Sequence, residues 1–273
     1  MTHPLDRVTI RDLRTLEEYT ECCEIQEETW GRGFSERVPA AILRVSQMIG
    51  GVTAGAFDAN DRMVGFVFGL TGIRDGRPAH WSDMLAVREE ARGHHIGDRL
   101  KHYQREQVRA LGVDLMLWTC DPLVARNAHF NINRLGARPV EYAENMYGAN
   151  TGSALHGALP TDRLVIGWQL QRPYTPHPGI DAEREGDAAL PLANPVADDA
   201  LPSFADVGHA SAVRVQVPHD LAEVQRQGGA GPLRWRLSVR EAFQSLFARG
   251  LRVDRFVRPA SGAFPYYVFT PAN

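Results

Sequence analysis

The sequence predicts an α/β fold, an α+β mixed sheet flanked by helices with a smaller α/β unit after it, and three observations carry that expectation. Two apolar runs, residues 52–59 and 63–72, meet across Asn60-Asp61 in the pattern of a β-hairpin. A third run, 81–87, passes through a glycine-containing turn into a helix and then into Leu115-Met116-Leu117-Trp118-Thr119-Cys120. A strand so uniformly apolar belongs inside a sheet covered on both faces. Finally, a second set of strands and helices follows a stretch rich in Pro, Ala, Asp and Gly.

Taken in order, residues 8–13 alternate as a first strand. Thr15 is placed to cap a helix through Trp30, with Leu16, Tyr19, Cys23 and Trp30 on one face. Pro39 starts a second helix through Met48, ended by Gly50-Gly51. The hairpin comes next, followed by the strand 81–87 and a helix from Ile96 to about Leu111 with Ile96, Leu100, Tyr103 and Gln107 on one side. After the apolar strand, a helix spans about 124–135 and closes on Gly136. Strands near 138–142 and 164–170 complete a first domain, 1–172. A linker or long surface loop, 173–210, leads to a small α/β unit, 211–273. That unit holds a strand at 213–217, a helix from Pro218, a longer one at 232–249, and strands at 251–257 and 266–269.

Composition narrows the function classes. With 273 residues and 44% hydrophobic content the chain can bury a substantial core. A net charge of -3 gives no bulk footprint for nucleic acid or an anionic membrane surface. No apolar run approaches the roughly 20 residues that span a bilayer, and the first residues lack the order of a signal peptide. Three cysteines, two of them the adjacent Cys22 and Cys23, form no disulfide framework. The expectation is a reduced, soluble, cytoplasmic protein.

Chemistry concentrates at Val87-Arg88-Glu89-Glu90-Ala91-Arg92-Gly93-His94-His95-Ile96-Gly97-Asp98. A strand feeding a glycine-containing turn at a helix start aims several N–H groups and the positive end of the helix dipole at one point. Such a point holds an anion, most often a phosphate or diphosphate. Gly93 and Gly97 let the ligand approach the backbone closely. His94 and His95 make no metal pair, because neighbours in a turn point apart and no carboxylate or cysteine stands at ligand spacing.

The segment Arg92-Gly93-His94-His95-Ile96-Gly97 resembles the acyl-CoA signature of the GNAT superfamily of N-acyltransferases, Arg/Gln-x-x-Gly-x-Gly/Ala. Trp118-Thr119-Cys120-Asp121-Pro122-Leu123, with Asn127-Ala128-His129-Phe130-Asn131 and Leu135-Gly136-Ala137, is similar to its second CoA-side motif. The likeness covers about residues 8–170 and, more narrowly, points to a bacterial subgroup with an added C-terminal region. It implies a GNAT-like central mixed sheet and acetyl-CoA or another acyl-CoA, such as succinyl-CoA, as co-substrate without a metal. Leu85, Ala86 and Val87 would line the pantetheine. Arg92, Gly93, His94, His95, Ile96, Gly97 and Asp98 would hold the diphosphate of coenzyme A. Two positions depart from the pattern: His95 stands where glycine is preferred, and Ile132 where many members carry the tyrosine that protonates the leaving thiolate.

Catalytic roles follow from the reaction's needs. A free amine is mostly protonated at neutral pH, so a base or water chain must help. Asp83, on the strand entering the turn and sharing a face with Leu85 and Val87 by alternation, is the first candidate; His80 and Glu28 come next. A structural, hydrogen-bonded Asp83 fits the residue equally well. Tyr147 is the alternative proton donor to the missing tyrosine. Asn127 contacts either the pantetheine or the Asp121-Pro122 turn, and Phe130 either the cofactor or the core. Trp30 and Phe34 are acceptor-pocket walls or core. Arg163 recognises a charged acceptor group or makes an ion pair. Trp235 with Arg234, Arg236 and Arg240 forms a solvated face, or a dimer or lid contact. The partner expected is a small-molecule amine such as an amino acid, with a homodimer open. The alternative is a weakly or non-catalytic acyl-CoA-binding sensor.

Overall fold

The computed structural model describes residues 4–148, 152, 159–173, 176, 179–196 and 201–272. The chain divides into two compact units: Met1–Trp118 with Asn150–Gly157 and Gln169–Arg172, and Thr119–Ala149 with Ala158–Trp168 and Pro173–Asn273.

The first unit begins with β1 (Thr9–Asp12) and α1 (Leu16–Trp30). Thr15 and Glu18 close a reciprocal capping box at the start of α1, a device worth about 1 kcal/mol. The buried stripe of α1 is Tyr19, Cys22, Ile25 and Gln26. Leu16 is 56% exposed and Cys22, not Cys23, lies fully inside, so the expected face is rotated. Next come α2 (Ala40–Met48), β2 (Val52–Phe57), β3 (Met63–Arg74) and β4 (Arg77–Val87). β3 and β4 form a long second hairpin around Asp75 and Gly76, at φ 52° and 75°. Positive φ at both central residues of a two-residue loop is what Asp-Gly supplies. Leu13, Ile25, Leu43, Phe66, Phe68, Met84 and Ala86 pack as one core, with Trp30 and Phe34 against it.

From β4 the chain enters α3 (Ile96–Ala110) and β5 (Leu115–Cys120). α3 buries Ile96, Leu100, Lys101, Gln104 and Val108, whereas Gln107 is exposed and Tyr103 half-buried. The inward stripe thus includes polar residues that an apolar count passes over.

The second unit continues through α4 (Ala125–Ala128) into a π-helical segment, His129–Arg134, then β6 (Arg138–Ala143) and β7 (Arg163–Gln169). The single α-helix expected at 124–135 is therefore mostly π-helix. β1 to β7 make one mixed sheet in the order β1-β2-β3-β4-β5-β7-β6, with β4 and β5 parallel. This is the mixed sheet flanked by helices that the sequence predicts. Beyond it, β8 (Val213–Gln216), α5 (Leu221–Gln227), α6 (Gly231–Ala248), β9 (Leu251–Val257) and β10 (Tyr266–Pro271) build a three-stranded antiparallel sheet, β8-β10-β9, with helices. Phe243 of α6 meets Tyr267 and Phe269 edge-on at 5.0 and 4.9 Å. Within 173–210, Asp187, Ala193 and Asn194 are buried, and Asn194 trades hydrogen bonds with Gln216; residues 174–175, 177–178 and 197–200 lie outside the described part.

Candidate active site

β4 decides the geometry of the first unit. Its register against β3 runs Gly65↔Val87 through Phe68↔Met84 and then jumps to Gly69↔Ser82, so Asp83 is the extra residue of a β-bulge. A bulge reverses the in–out alternation. Before it, His80 and Ser82 bond to α3; after it, Met84 and Ala86 join the core with α1. Leu85 and Val87 lie beside Gly97, where an added Cβ would stand 3.4 Å from Leu85 and 3.9 Å from Val87. Asp83 instead accepts the Trp81 indole N–H at 3.2 Å and feels Glu36 of the α1–α2 loop. The alternation that put Asp83 on one face with Leu85 and Val87 does not survive the bulge.

The Asp83 side chain is exposed, yet nearby protein atoms displace part of its water. Loss of water there raises its pKa above the ordinary 3.8; the Trp81 bond works against the rise and Glu36 adds to it. The two reserve bases are committed elsewhere. Glu28 is bonded by Arg88. His80 is fully buried, its Nδ1 against Thr71 Oγ1 at 2.9 Å and its Nε2 against Gln104 at 3.0 Å. Burial, with Lys101 nearby, pushes its pKa down to about 3.

The other edge of β4 matters as much. β4 pairs with β5 only at His80↔Met116 and Trp81↔Leu117. From Asp83 to Val87 that edge carries no ladder with β5 among the described residues. The strand then runs into the turn. Arg92 Nε reaches back to the Val87 carbonyl at 3.4 Å. Gly93 sits at φ 86°, and a Cβ built there meets nothing within 4 Å. His95 adopts the left-handed φ 56°, ψ 20° as the N-cap of α3 and makes no side-chain capping bond. Histidine in the glycine position therefore keeps the turn. Ile96 is buried beneath it, and Asp98 lies 3.7 Å from His102 one helical turn on. The first N–H groups of α3 have no intrahelical acceptor, so the turn offers a concave row of donors at a positive dipole end.

Trp30 and Phe34 stack on each other with centroids 5.7 Å apart and planes at 20°. They flank the loop that carries Glu36.

In the second unit, Asn127 and Phe130 are half-buried, and Asn127 donates its main-chain N–H to Val124. The Asp121-Pro122 turn is held by Asp121 itself, which accepts from Leu123 N–H at 2.9 Å. Ile132 is 1% exposed and has no proton to give. Tyr147 pairs its hydroxyl with Thr119 Oγ1 at 2.9 Å. The Arg163 guanidinium lies 5.3 Å from the Tyr147 ring centroid and 3.5 Å from Asp121. Arg163 is buried, its charge facing Asp121. The arginines of α6 are not a solvated face. Arg236 is buried in a two-point bond to Asp121, and Arg240 bonds both oxygens of the buried Asp162 at 2.8 Å. Trp235 is buried too. Arg234 reaches the Pro202 carbonyl.

Lys101 is the residue that sequence reasoning missed. It lies buried on α3, its ammonium nitrogen 2.6 Å from Ser82 Oγ and 4.0 Å from the Trp118 ring centroid. One signal was available: of 30 Lys and Arg residues, this is the only lysine. Among the described residues no three His, Cys, Asp or Glu side chains gather as a metal group, and no helix is long and apolar enough to cross a membrane.

No protein-family model matches the chain, and no curated protein does. Among solved structures it is similar to the yncA protein of Salmonella typhimurium, solved with its cofactor acetyl-CoA. That likeness has TM-score 0.48 and 16% identity, over 63% of this chain and 98% of that one. The ribosomal-protein-S18-alanine N-acetyltransferase of Escherichia coli gives 0.47 and 14%, over 62% and 97%. Ard1 of Thermoplasma volcanium gives 0.46 and 14%, over 60% and 99%.

Proposed function

We propose that the protein is an acyl-CoA-dependent N-acyltransferase that moves an acetyl or other acyl group onto the amine of a small molecule, such as an amino acid, by direct attack. One observation carries this reading. An unladdered strand edge at Leu85–Val87 runs straight into a donor-rich helix start, with Gly93 and His95 in left-handed backbone. An extended amide-bearing arm ending in a diphosphate is complementary to both parts at once. The pantetheine amides would pair with the strand edge, and the diphosphate would sit on the N–H groups from Gly93 to Asp98. Main-chain N–H at Ala86 or Val87 would polarise the thioester carbonyl.

Asp83, with its raised pKa, receives the proton of the acceptor amine, directly or through water. Tyr147 would be the alternative proton donor for the departing thiolate, which Ile132 cannot serve. A thiol with pKa about 8.5 leaves tolerably without an acid, so losing the usual tyrosine slows the reaction by roughly a hundred- to ten-thousand-fold at most. The buried Ile132 also supports a second reading, an acyl-CoA-binding sensor with little turnover. Calorimetry with coenzyme A tests the shared premise, and absence of heat removes both readings. A thiol-release assay with acetyl-CoA and succinyl-CoA over a panel of amino acids separates them: release on any amine supports the enzyme, tight binding without release the sensor.

A further inference from the structure

We propose that Lys101 is a positioning residue for the acyl thioester, wedged where β4 and β5 part and holding the strand edge and the Asp83 bulge in place. The inference rests on the acyltransferase reading for its functional half and on geometry for the rest.

The last two paired positions of the strands are His80↔Met116 and Trp81↔Leu117. Ser82 and Trp118, the next residue on each strand, are the two that Lys101 touches. Its side chain thus fills the crotch of the fork. From there one directed chain of hydrogen bonds crosses the unit. Lys101 donates to Ser82, and Ser82 to Gln104 Oε1 at 2.7 Å. Gln104 Nε2 donates to His80 Nε2, the protonated His80 Nδ1 to Thr71, and Thr71 to the Gly50 carbonyl at 2.6 Å. Each member uses a donor one way and an acceptor the other, which fixes the His80 tautomer. Gly69 leaves room for it, since a Cβ there would stand 2.3 Å from His80 Nε2 and 2.7 Å from Gln104 Nε2.

Lys101 Nζ meets two receivers, the Ser82 oxygen and the face of Trp118, and the ring face favours the charged form. A third N–H would meet no hydrogen-bond acceptor among the described residues. Of the groups around it, on β4, β5 and α3 itself, His80 is the titratable one, and no carboxylate comes within ion-pair range among the described residues. Burial accordingly lowers the Lys101 pKa to about 7. Arginine cannot lose its proton, so it cannot do this. In a chain whose other Lys/Arg positions are all arginine, the one lysine stands where burial makes its proton removable.

The test uses the full chain. Lysine carrying 13C at Cε labels a single side chain, so one resonance reports the titration of Lys101. The expected midpoint is about 7. A midpoint at the ordinary 10.4 overturns the proposal even if no variant folds. For function, Lys101→Met and Lys101→Arg are compared with wild type by calorimetry with coenzyme A and by thiol release across pH. Lys101→Met should keep CoA affinity within about threefold, lose about ten- to a hundredfold in kcat, and lack the acid limb near pH 7 expected of wild type. Lys101→Arg, with a charge that cannot be shed, should rescue nothing. Wild-type kcat and pH profile in Lys101→Met would overturn the positioning role. Wild type that binds no coenzyme A sinks the acyltransferase reading instead, and with it the thioester role, while the titration still reports the wedge.

Discussion

Asp83 is the residue whose two possible roles pull measurable quantities in opposite directions. Its folded pKa is raised, chiefly by loss of water, so the folded state holds a proton more tightly than the unfolded chain does. For an acid shifted that way, the stability contribution is full below the ordinary 3.8 and is lost as pH rises through the folded value. At neutral pH the ionised carboxylate therefore works against folding. Asp83→Asn removes that charge, and the melting temperature at pH 7 should rise slightly. A purely structural Asp83, kept for its bond to Trp81, would make the same variant less stable. Turnover should move the other way, falling about a hundred- to ten-thousand-fold at neutral pH and less at alkaline pH, where the amine needs no base. A scanning melt at pH 7 and a pH series of thiol release check both halves. A lower melting temperature with unchanged rate would leave Asp83 structural.

At the scale of elements, what the sequence disclosed and what it hid follow from the reach of each interaction. The capping box of α1, the Pro39 entry to α2 and the Gly93 turn are local, settled within about four residues, and the residues spell them out. The bulge at Asp83 is a mismatch between two strands that only their pairing creates, so alternation along β4 alone misplaced it. Lys101 faces inward on α3, yet a lysine counts as polar on any helical wheel and so dropped out of the expected face. The π-helical stretch 129–134 is likewise anchored from a distance, since Asn133 exchanges bonds with main-chain Phe256. The turn itself is testable. His95 holds a left-handed conformation that costs a non-glycine residue about 1–2 kcal/mol, and its side chain makes no capping bond. His95→Gly should raise stability in urea by about 1 kcal/mol and leave the affinity for coenzyme A within about threefold. His95→Val should lower both, because a β-branched residue resists that backbone most. Equal stability of the two variants would mean that backbone strain is not what the turn stores.

Across the whole molecule, the C-terminal residues are built into the second unit rather than appended to it. Asp121, on the segment that resembles the second CoA-side motif, is gripped by Arg236 at 2.8 and 2.6 Å. Asp162 is 0% exposed at its side chain and held by Arg240 and the Tyr142 hydroxyl. Tyr267 donates to the Pro122 carbonyl at 2.7 Å. Apart from the Tyr142 hydroxyl, each of these contacts satisfies a buried or half-buried group on 119–168 with a donor from 236–267. Cutting the chain at Pro173 would leave the Asp162 carboxylate without its arginine and Asn133 without the Phe256 main chain. Stranding a buried charge costs about 3–5 kcal/mol, a large part of a domain's whole stability. The truncated chain should therefore be insoluble or lack a cooperative melt. A single change addresses the cause: Arg236→Met keeps most of the apolar stem of the side chain and removes its charge and donors. It should cost about 3 kcal/mol in urea. Adding Asp121→Asn should recover only part of that loss, because Arg163 still faces Asp121 at 3.5 Å. If the double variant is as unstable as Arg236→Met alone, the pair is not what ties these segments together. The packing of α6 on β10 would then carry the cohesion of the unit.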